Sequence, residues 1–235
     1  MKRAVRAGTR RIEYELIRQA RKDILLKVLP EGVIRVYAPS YAHLRAVDDV
    51  VRARADELER LRGEVDRAWE KTREANALRE GRTIWLEGKP YALQIRAGRP
   101  SVRFADGVVT VCAPDPADEE ALRGQLRAQL SERALRRIRE RLDCYIPRVG
   151  RQPGRVTIRE QKTRWGSCSS RGNLNFNWKL IMAPPPVLDY VVIHELCHLY
   201  EFNHSPRFWQ LVEAQMPEYE SWKKWLKQHG AELTL

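Results

Sequence analysis

The stretch that most constrains this chain lies near its C-terminus: Val187-Leu188-Asp189-Tyr190-Val191-Val192-Ile193-His194-Glu195-Leu196-Cys197-His198-Leu199-Tyr200. It is apolar on nearly every helical face, so it demands a buried helix. Pro184-Pro185-Pro186 stands before it. Such a run ends a sheet region and is tolerated in the first turn of a helix. Three polar side chains, His194, Glu195 and His198, then fall in the middle of the apolar run. Burying them without partners costs on the order of several kcal/mol. A shared metal ion removes that cost.

The spacing agrees with a metal. His194 and His198 are four residues apart, on one face and one turn from each other. Both imidazoles then reach one ion at roughly 2.0–2.1 Å. Glu195 is rotated by about 100° from His194, which suits a general base acting on a metal-activated water rather than a ligand. This is the HExxH arrangement.

A third ligand is sought downstream. His204 would lie about 9 Å further along a continuous helix and about 120° off the face, so it ligates only if the helix ends and the chain turns back. Asn203 suits a left-handed C-terminal position, and Ser205-Pro206 reads as the N-cap and first residue of another helix. Glu201 is the rival. It shares the histidine face but lies about 10 Å along the axis from His194, so His204 is favoured. Three of the five histidines thus fall within a short segment, which argues against a metal-free core cluster. His43 and His229 are expected at the surface. Three protein ligands leave a fourth position open on zinc, the arrangement of catalytic sites.

Upstream, Glu31-Gly32-Val33-Ile34-Arg35-Val36-Tyr37-Ala38-Pro39 is echoed by Asp106-Gly107-Val108-Val109-Thr110-Val111-Cys112-Ala113-Pro114. Each acidic-Gly turn precedes a strand-like run, and Ala-Pro ends it. Ile24 to Val28 and Tyr91 to Ile95 are the strand-like runs expected before the two turns. A helix is expected after each Ala-Pro, capped by Ser40 in the first copy and by Asp115 or Asp118 in the second. The unit reads strand, turn, strand, helix, twice. The second helix, about Pro116 to Cys144, carries an apolar stripe of Leu122, Leu126, Leu130, Leu135, Ile138 and Leu142, expected to pack on the C-terminal part. Val156 to Arg159 and Leu174 to Leu180 read as a hairpin or two adjacent strands, joined through Lys162-Thr163-Arg164-Trp165-Gly166-Ser167-Cys168.

Two readings of Arg164 and Trp165 stand side by side. They line a cleft, bind an extended substrate that adds a strand, and stabilise an anion through Arg164; or Trp165 is core and Arg164 pairs with a carboxylate. Tyr200 and Tyr219 are candidate donors to an oxyanion, with packing the favoured reading. Phe208, Trp209, Trp222 and Trp225 read as core of the last helices, and Cys197 as a small packing residue.

Composition sets outer limits. The 235 residues are 31% charged and 43% hydrophobic, and no run approaches the roughly 20 apolar residues of a membrane span. Basic Met1 to Arg11 lacks the apolar stretch of a secretory signal. Cys112, Cys144, Cys168 and Cys197 form no CxxC pair and are expected as reduced thiols, with a cytoplasmic location. The net charge of +12 admits a nucleic-acid or nucleotide partner, although much of the arginine alternates with glutamate along helices, as on solvated faces.

Trp165-Gly166-Ser167-Cys168, Asn175, Asp189 through His198, Asn203-His204-Ser205 and Phe208-Trp209 resemble the YgjP-like metallopeptidase-domain family, relatives of the SprT-like zinc proteases. The resemblance covers nearly the whole chain. It implies a compact zincin core of a preceding helix, a small sheet, the HExxH helix and a C-terminal helical segment, and it carries the third ligand onto His204. Some members carry a label as metal-dependent nucleotide pyrophosphatases. The ligand spacing equals that of metzincins, but Glu201 stands where those have glycine and no Met-turn is evident.

The resulting expectation is an α+β protein: a β-rich N-terminal region with internal repeat over 1–115, then a zincin-like catalytic domain over 116–235. Its expected activity is that of a zinc-dependent peptidase acting on a peptide or protein. The rivals are a nucleoside triphosphate pyrophosphohydrolase and a nucleic-acid-associated binding protein.

Overall fold

The computed structural model describes residues 1–161 and 163–235, with the side chain of Ala75 left aside; Lys162, part of the turn expected before Gly166, lies outside the described residues. The chain is mixed α+β and divides into two compact units, Met1–Ala77 and Leu78–Leu235. This division falls well before the 115/116 boundary expected from sequence. The reason is packing: the strands between residues 83 and 113 share one apolar core with the long helix that follows them.

The first unit holds β1 (Lys2–Ala7), β2 (Arg10–Gln19), β3 (Leu25–Val28), β4 (Ile34–Pro39), α1 (Leu44–Ala53) and α2 (Ala55–Asn76). The sheet order is β1-β2-β4-β3. The outer pairs are antiparallel and the central β2–β4 pair is parallel. Alternate residues of β2 and β4 (Ile12, Tyr14, Leu16; Ile34, Val36, Ala38) face a core closed by Val47 and Val51 of α1, as the period of two requires. Ser40 is not the cap of α1. His43 occupies that position, exposed and without a side-chain cap bond.

The second unit opens with β5 (Thr83–Leu86), β6 (Lys89–Ala97), β7 (Ser101–Ala105) and β8 (Val108–Ala113). Its sheet order, β5-β6-β8-β7, repeats the pattern of antiparallel, parallel, antiparallel pairs. The strand before the Asp106-Gly107 turn is β7, not Tyr91 to Ile95. That run lies in β6, which pairs in parallel with β8. The two-residue turn explains this: with both central residues at positive φ (51° and 73°), it is the primed type that joins immediately adjacent strands.

The long helix α3 (Glu119–Val149) starts where Asp118 accepts from the Ala121 amide at 3.0 Å and ends at left-handed Gly150. Asp115 instead accepts from Ala117 N. Its buried residues step by four from Leu122 to Leu142, which makes the single stripe that packs on the rest of the unit.

A third sheet, order β10-β11-β9, combines β9 (Val156–Arg159), β10 (Gly166–Cys168) and β11 (Leu174–Asn177). β9 and β11 pair in parallel and β10 is an edge strand. β11 stops short of Leu180 because the Asn177 side chain accepts from Lys179 N and turns Trp178–Met182 into a 3-10 segment. Helix α4 (Pro185–Cys197) follows, then α5 (Pro206–Gln215) and α6 (Tyr219–His229).

The β5–β6 turn fixes the start of α4. Glu87 and Gly88 donate their amides to the carbonyls of Ile181 and Met182 at 2.6 and 3.2 Å. Gly88 has φ +75°, and a Cβ there would sit 2.9 Å from Pro184 Cα, so both conformation and space require glycine. Among the described residues, no helix is long and apolar enough to cross a membrane.

Candidate metal centre

Helix α4 is buried on nearly all sides; Glu195 within it is 4% exposed, and His198 at its C-cap 9%. The regular helix ends at Cys197, earlier than Asn203. The turn after it is closed by bonds from Tyr200 N and Glu201 N to the Cys197 carbonyl. Asn203 does not take the left-handed conformation expected of it. Its side chain accepts from Ser205 N at 3.0 Å instead, an Asx turn that reverses the chain. Ser205 then caps α5 through Phe208 N, with Pro206 in the first turn.

This reversal brings His204 back to the other two histidines. His194 Nε2 lies 3.2 Å from His198 Nε2 and 3.1 Å from His204 Nε2. The ligand atoms of all three fit within 4.8 Å of one another. Glu201 contributes only its backbone: His198 Nδ1 donates to the Glu201 carbonyl at 2.9 Å. That bond fixes the tautomer and leaves Nε2 as a lone-pair donor.

Burial, then the neighbouring His198 and His204 and the Lys223 ammonium, push His194 down to about 3. Burial, His198 and Lys223 lower His204 also. His194 is therefore neutral. The three Nε2 atoms converge on one point, and His194 Nδ1 is itself buried without a partner among the described residues. An all-nitrogen, three-ligand donor set of this kind fits a divalent transition metal, zinc foremost.

An aromatic shell holds the rings. Phe208 stacks on His198 at 4.5 Å between centroids, and Trp209 stacks on His204 at 5.6 Å and on Tyr219 at 5.3 Å. Lys223 Nζ sits 3.7 Å above the Trp209 ring.

Glu195 faces a cleft of about 530 Å³ that also takes in all three histidines. Its Oε2 is buried without a partner among the described residues. Burial pushes its carboxyl up to about 8, opposed by the Arg164 guanidinium. β10 passes directly over it: a Cβ at Gly166 would lie 2.5 Å from Glu195 Oε1. The glycine of the Trp-Gly-Ser-Cys segment thus makes room for the carboxylate.

Arg164 and Trp165 both line the cleft. Arg164 is exposed, and among the described residues it has no carboxylate within ion-pair distance, while half-buried Trp165 packs its indole against Gly230. The Tyr200 hydroxyl donates to Val149 O at 2.9 Å and its ring lies under Arg151, a packing role. Cys197 is buried, and burial pushes its thiol up to about 12. Burial, then the Glu195 carboxylate, push Cys168 up to about 11. All four cysteines are free. His43 is exposed, whereas His229 is half-buried and meets Glu232 at 3.2 Å.

Two contributors were not singled out from sequence. Asp189 binds Arg141 through two bonds (2.5 and 2.9 Å) and Tyr145 at 3.3 Å, tying α4 to α3. Its signal is a carboxylate in an otherwise apolar helix, which needs a cation partner. Phe202, 58% exposed at the cleft rim, carries no sequence signal of its own.

No curated protein matches this chain. Among solved structures, it is similar to the metallopeptidase zymogen of Pyrococcus abyssi abylysin, at 24% identity and a TM-score of 0.36, over 39% of this chain and 93% of that one. The YgjP-like metallopeptidase domain matches residues 22–229, nearly the whole sequence, and the chain belongs to that family.

Proposed function

We propose that this chain is a zinc-dependent peptidase in which His194, His198 and His204 hold the ion and Glu195 is the general base. The observation that carries the reading is the convergence of three imidazole nitrogens beside a buried, unpartnered carboxylate oxygen. When bound, zinc supplies Lewis acidity, polarising a carbonyl and acidifying water.

The protein's own groups do the rest. Burial raises the proton affinity of Glu195, which suits a group that accepts a proton from the attacking water and returns it to the leaving amine. The Arg164 guanidinium opposes the rise and keeps the carboxylate ionisable. Gly166 leaves room for the carboxylate and so fixes where its oxygens point. The free edge of β10 offers main-chain groups to an extended peptide, with Arg164 and Trp165 beside it as substrate contacts. We assign the zincin-like catalytic residues to 116–235 and the repeated β-rich region to 1–115, a functional division that cuts across the compact unit Leu78–Leu235. The matching strand orders of the two four-stranded sheets support an internal duplication.

The nucleotide reading rests on net charge and on the label that some similar proteins carry, and the nucleic-acid reading on net charge. The sequence carries no glycine-rich phosphate loop, and a histidine donor set suits zinc better than magnesium.

Elemental analysis of wild type, His204→Ala and Glu201→Ala, with parallel assays on an unfolded protein and on nucleoside triphosphates, tests the proposal. Expected are one zinc per chain in wild type and Glu201→Ala, loss of zinc in His204→Ala, and hydrolysis of the protein substrate alone. Zinc retained by His204→Ala but lost by Glu201→Ala would reverse the ligand assignment. Turnover of nucleotides without proteolysis would overturn the peptidase reading.

A further inference from the structure

Three tyrosines lie on or near the cleft, and two have engaged hydroxyls. Tyr200 donates to the Val149 carbonyl, and Tyr219 donates to the Glu220 carboxylate at 3.4 Å while its ring stacks on Trp209. Tyr190 differs. Its side chain is 6% exposed, its ring edge meets His194 at 5.8 Å between centroids, and it lines the same cleft as Glu195. Among the described residues its hydroxyl has no hydrogen-bond partner, and it opens to the cleft.

That hydroxyl calls for an explanation. Tyr190 lies four residues before His194 and so shares its helical face. The residues around it in α4, Val187, Leu188, Val191, Val192 and Ile193, carry no polar side-chain atoms. Phenylalanine would fill nearly the same volume, and a hydroxyl that no protein group engages adds no hydrogen bond to the fold; the ring is buried while the hydroxyl is left open to the cleft. It is also held in place: the adjacent Asp189 is bonded to Arg141 and Tyr145 on α3, which pins this turn of α4.

We propose that the Tyr190 hydroxyl is a catalytic hydrogen-bond donor to the oxyanion formed when water adds to the scissile carbonyl. The proposal rests on the peptidase reading above. In the addition, the water oxygen bonds to the carbonyl carbon, the π pair moves onto the carbonyl oxygen, and the water proton goes to Glu195. Tyr190 keeps its proton and stabilises the new negative charge. In the collapse, the carbonyl re-forms, the C–N bond breaks, and Glu195 delivers the proton to the amine. A preorganised donor of this kind contributes about 10²-fold or more to turnover.

The test compares zinc-loaded wild type, Tyr190→Phe and Tyr200→Phe. Four quantities are measured: kcat and KM on a peptide, zinc content, thermal midpoint, and calorimetric affinity for a phosphinic peptide that mimics the tetrahedral oxyanion. Tyr190→Phe is expected to keep zinc, KM and the midpoint, to lose about 10²-fold in kcat, and to lose at least about tenfold in phosphinic-peptide affinity. Tyr200→Phe is expected to keep kcat and that affinity. Unchanged kcat and phosphinic affinity in Tyr190→Phe, or loss of its zinc or midpoint, would overturn the role of Tyr190 while leaving a peptidase. A wild type that neither cleaves peptides nor binds the phosphinic peptide would overturn the peptidase reading and this proposal with it.

Discussion

The two compact units each contain the same side-chain trio, an aspartate held by an arginine and a tyrosine. In the first, Asp48 of α1 accepts from Arg3 of β1 (2.8 and 3.3 Å) and from Tyr14 of β2 (2.5 Å). In the second, Asp189 of α4 accepts from Arg141 and Tyr145 of α3. The two are buried alike, with side-chain exposures of 25% and 13% for the first Arg–Asp pair and 25% and 16% for the second. The chemistry is shared and the consequence is not. The Asp48 trio clamps a helix to a sheet and stops there. The Asp189 trio clamps the turn of α4 that runs directly into Tyr190, His194 and Glu195. The two four-stranded sheets make the same point. The second, through its β5–β6 turn, anchors the segment that leads into the histidine helix.

The largest expected contrast is in metal linkage. Free zinc at about 1,000 times its Kd should raise the stability of the second unit by about 4 kcal/mol and leave the unfolding of the first in place. Calorimetry with and without a chelator checks this, and equal shifts in both units would break the comparison. Next come the turns. Gly88→Ala combines positive φ with a clash against Pro184 and should cost about 3 kcal/mol. Gly107→Ala has positive φ (+73°) and open space, and should cost about 1 kcal/mol. Equal losses in chemical denaturation would mean that docking of the β5–β6 turn contributes nothing.

The trios give a smaller and more selective effect. Asp189→Asn should cost about 1.5–3 kcal/mol and lower turnover by about tenfold through misplaced site residues. Asp48→Asn should weaken only its own unit, with turnover unchanged. A turnover loss in both variants would remove the distinction between the clamps. The smallest effect is in pH. Burial would raise the Asp48 carboxyl, but the bonds from Arg3 and Tyr14 outweigh it and hold the group below its ordinary range. A depressed folded-state value contributes stability above the unfolded value of about 4 and loses it as pH falls through the folded value. The difference in thermal midpoint between wild type and Asp48→Asn should therefore be full at neutral pH and close in acid. A difference that persists in acid would show that the bonds act without regard to charge.

How much of this was legible follows from range. The apolar run of α4, its proline start and the four-residue histidine spacing are local, and the structure has a buried helix there with both histidines on one face. The Ser205-Pro206 cap is local too. Asn203 misled because two chain reversals are open to asparagine, the left-handed cap and the Asx turn, and only surrounding packing selects one. The pairing of β6 with β8, the parallel β9–β11 pair and the edge position of β10 are non-local, and strand-like runs carry no label for their partners. The same holds for Asp189, whose partner is 48 residues away, and for Gly166, whose reason is the Glu195 carboxylate on another element.

The central claim is that the histidine cluster binds metal and that Glu195 handles the proton. Glu195→Gln measures both at once through zinc content and peptide turnover. The account predicts one zinc per chain, as in wild type, with turnover down by at least about 10³-fold, the upper part of what a positioned general base contributes. A Glu195→Gln protein that keeps its turnover, or that loses its zinc, would contradict it.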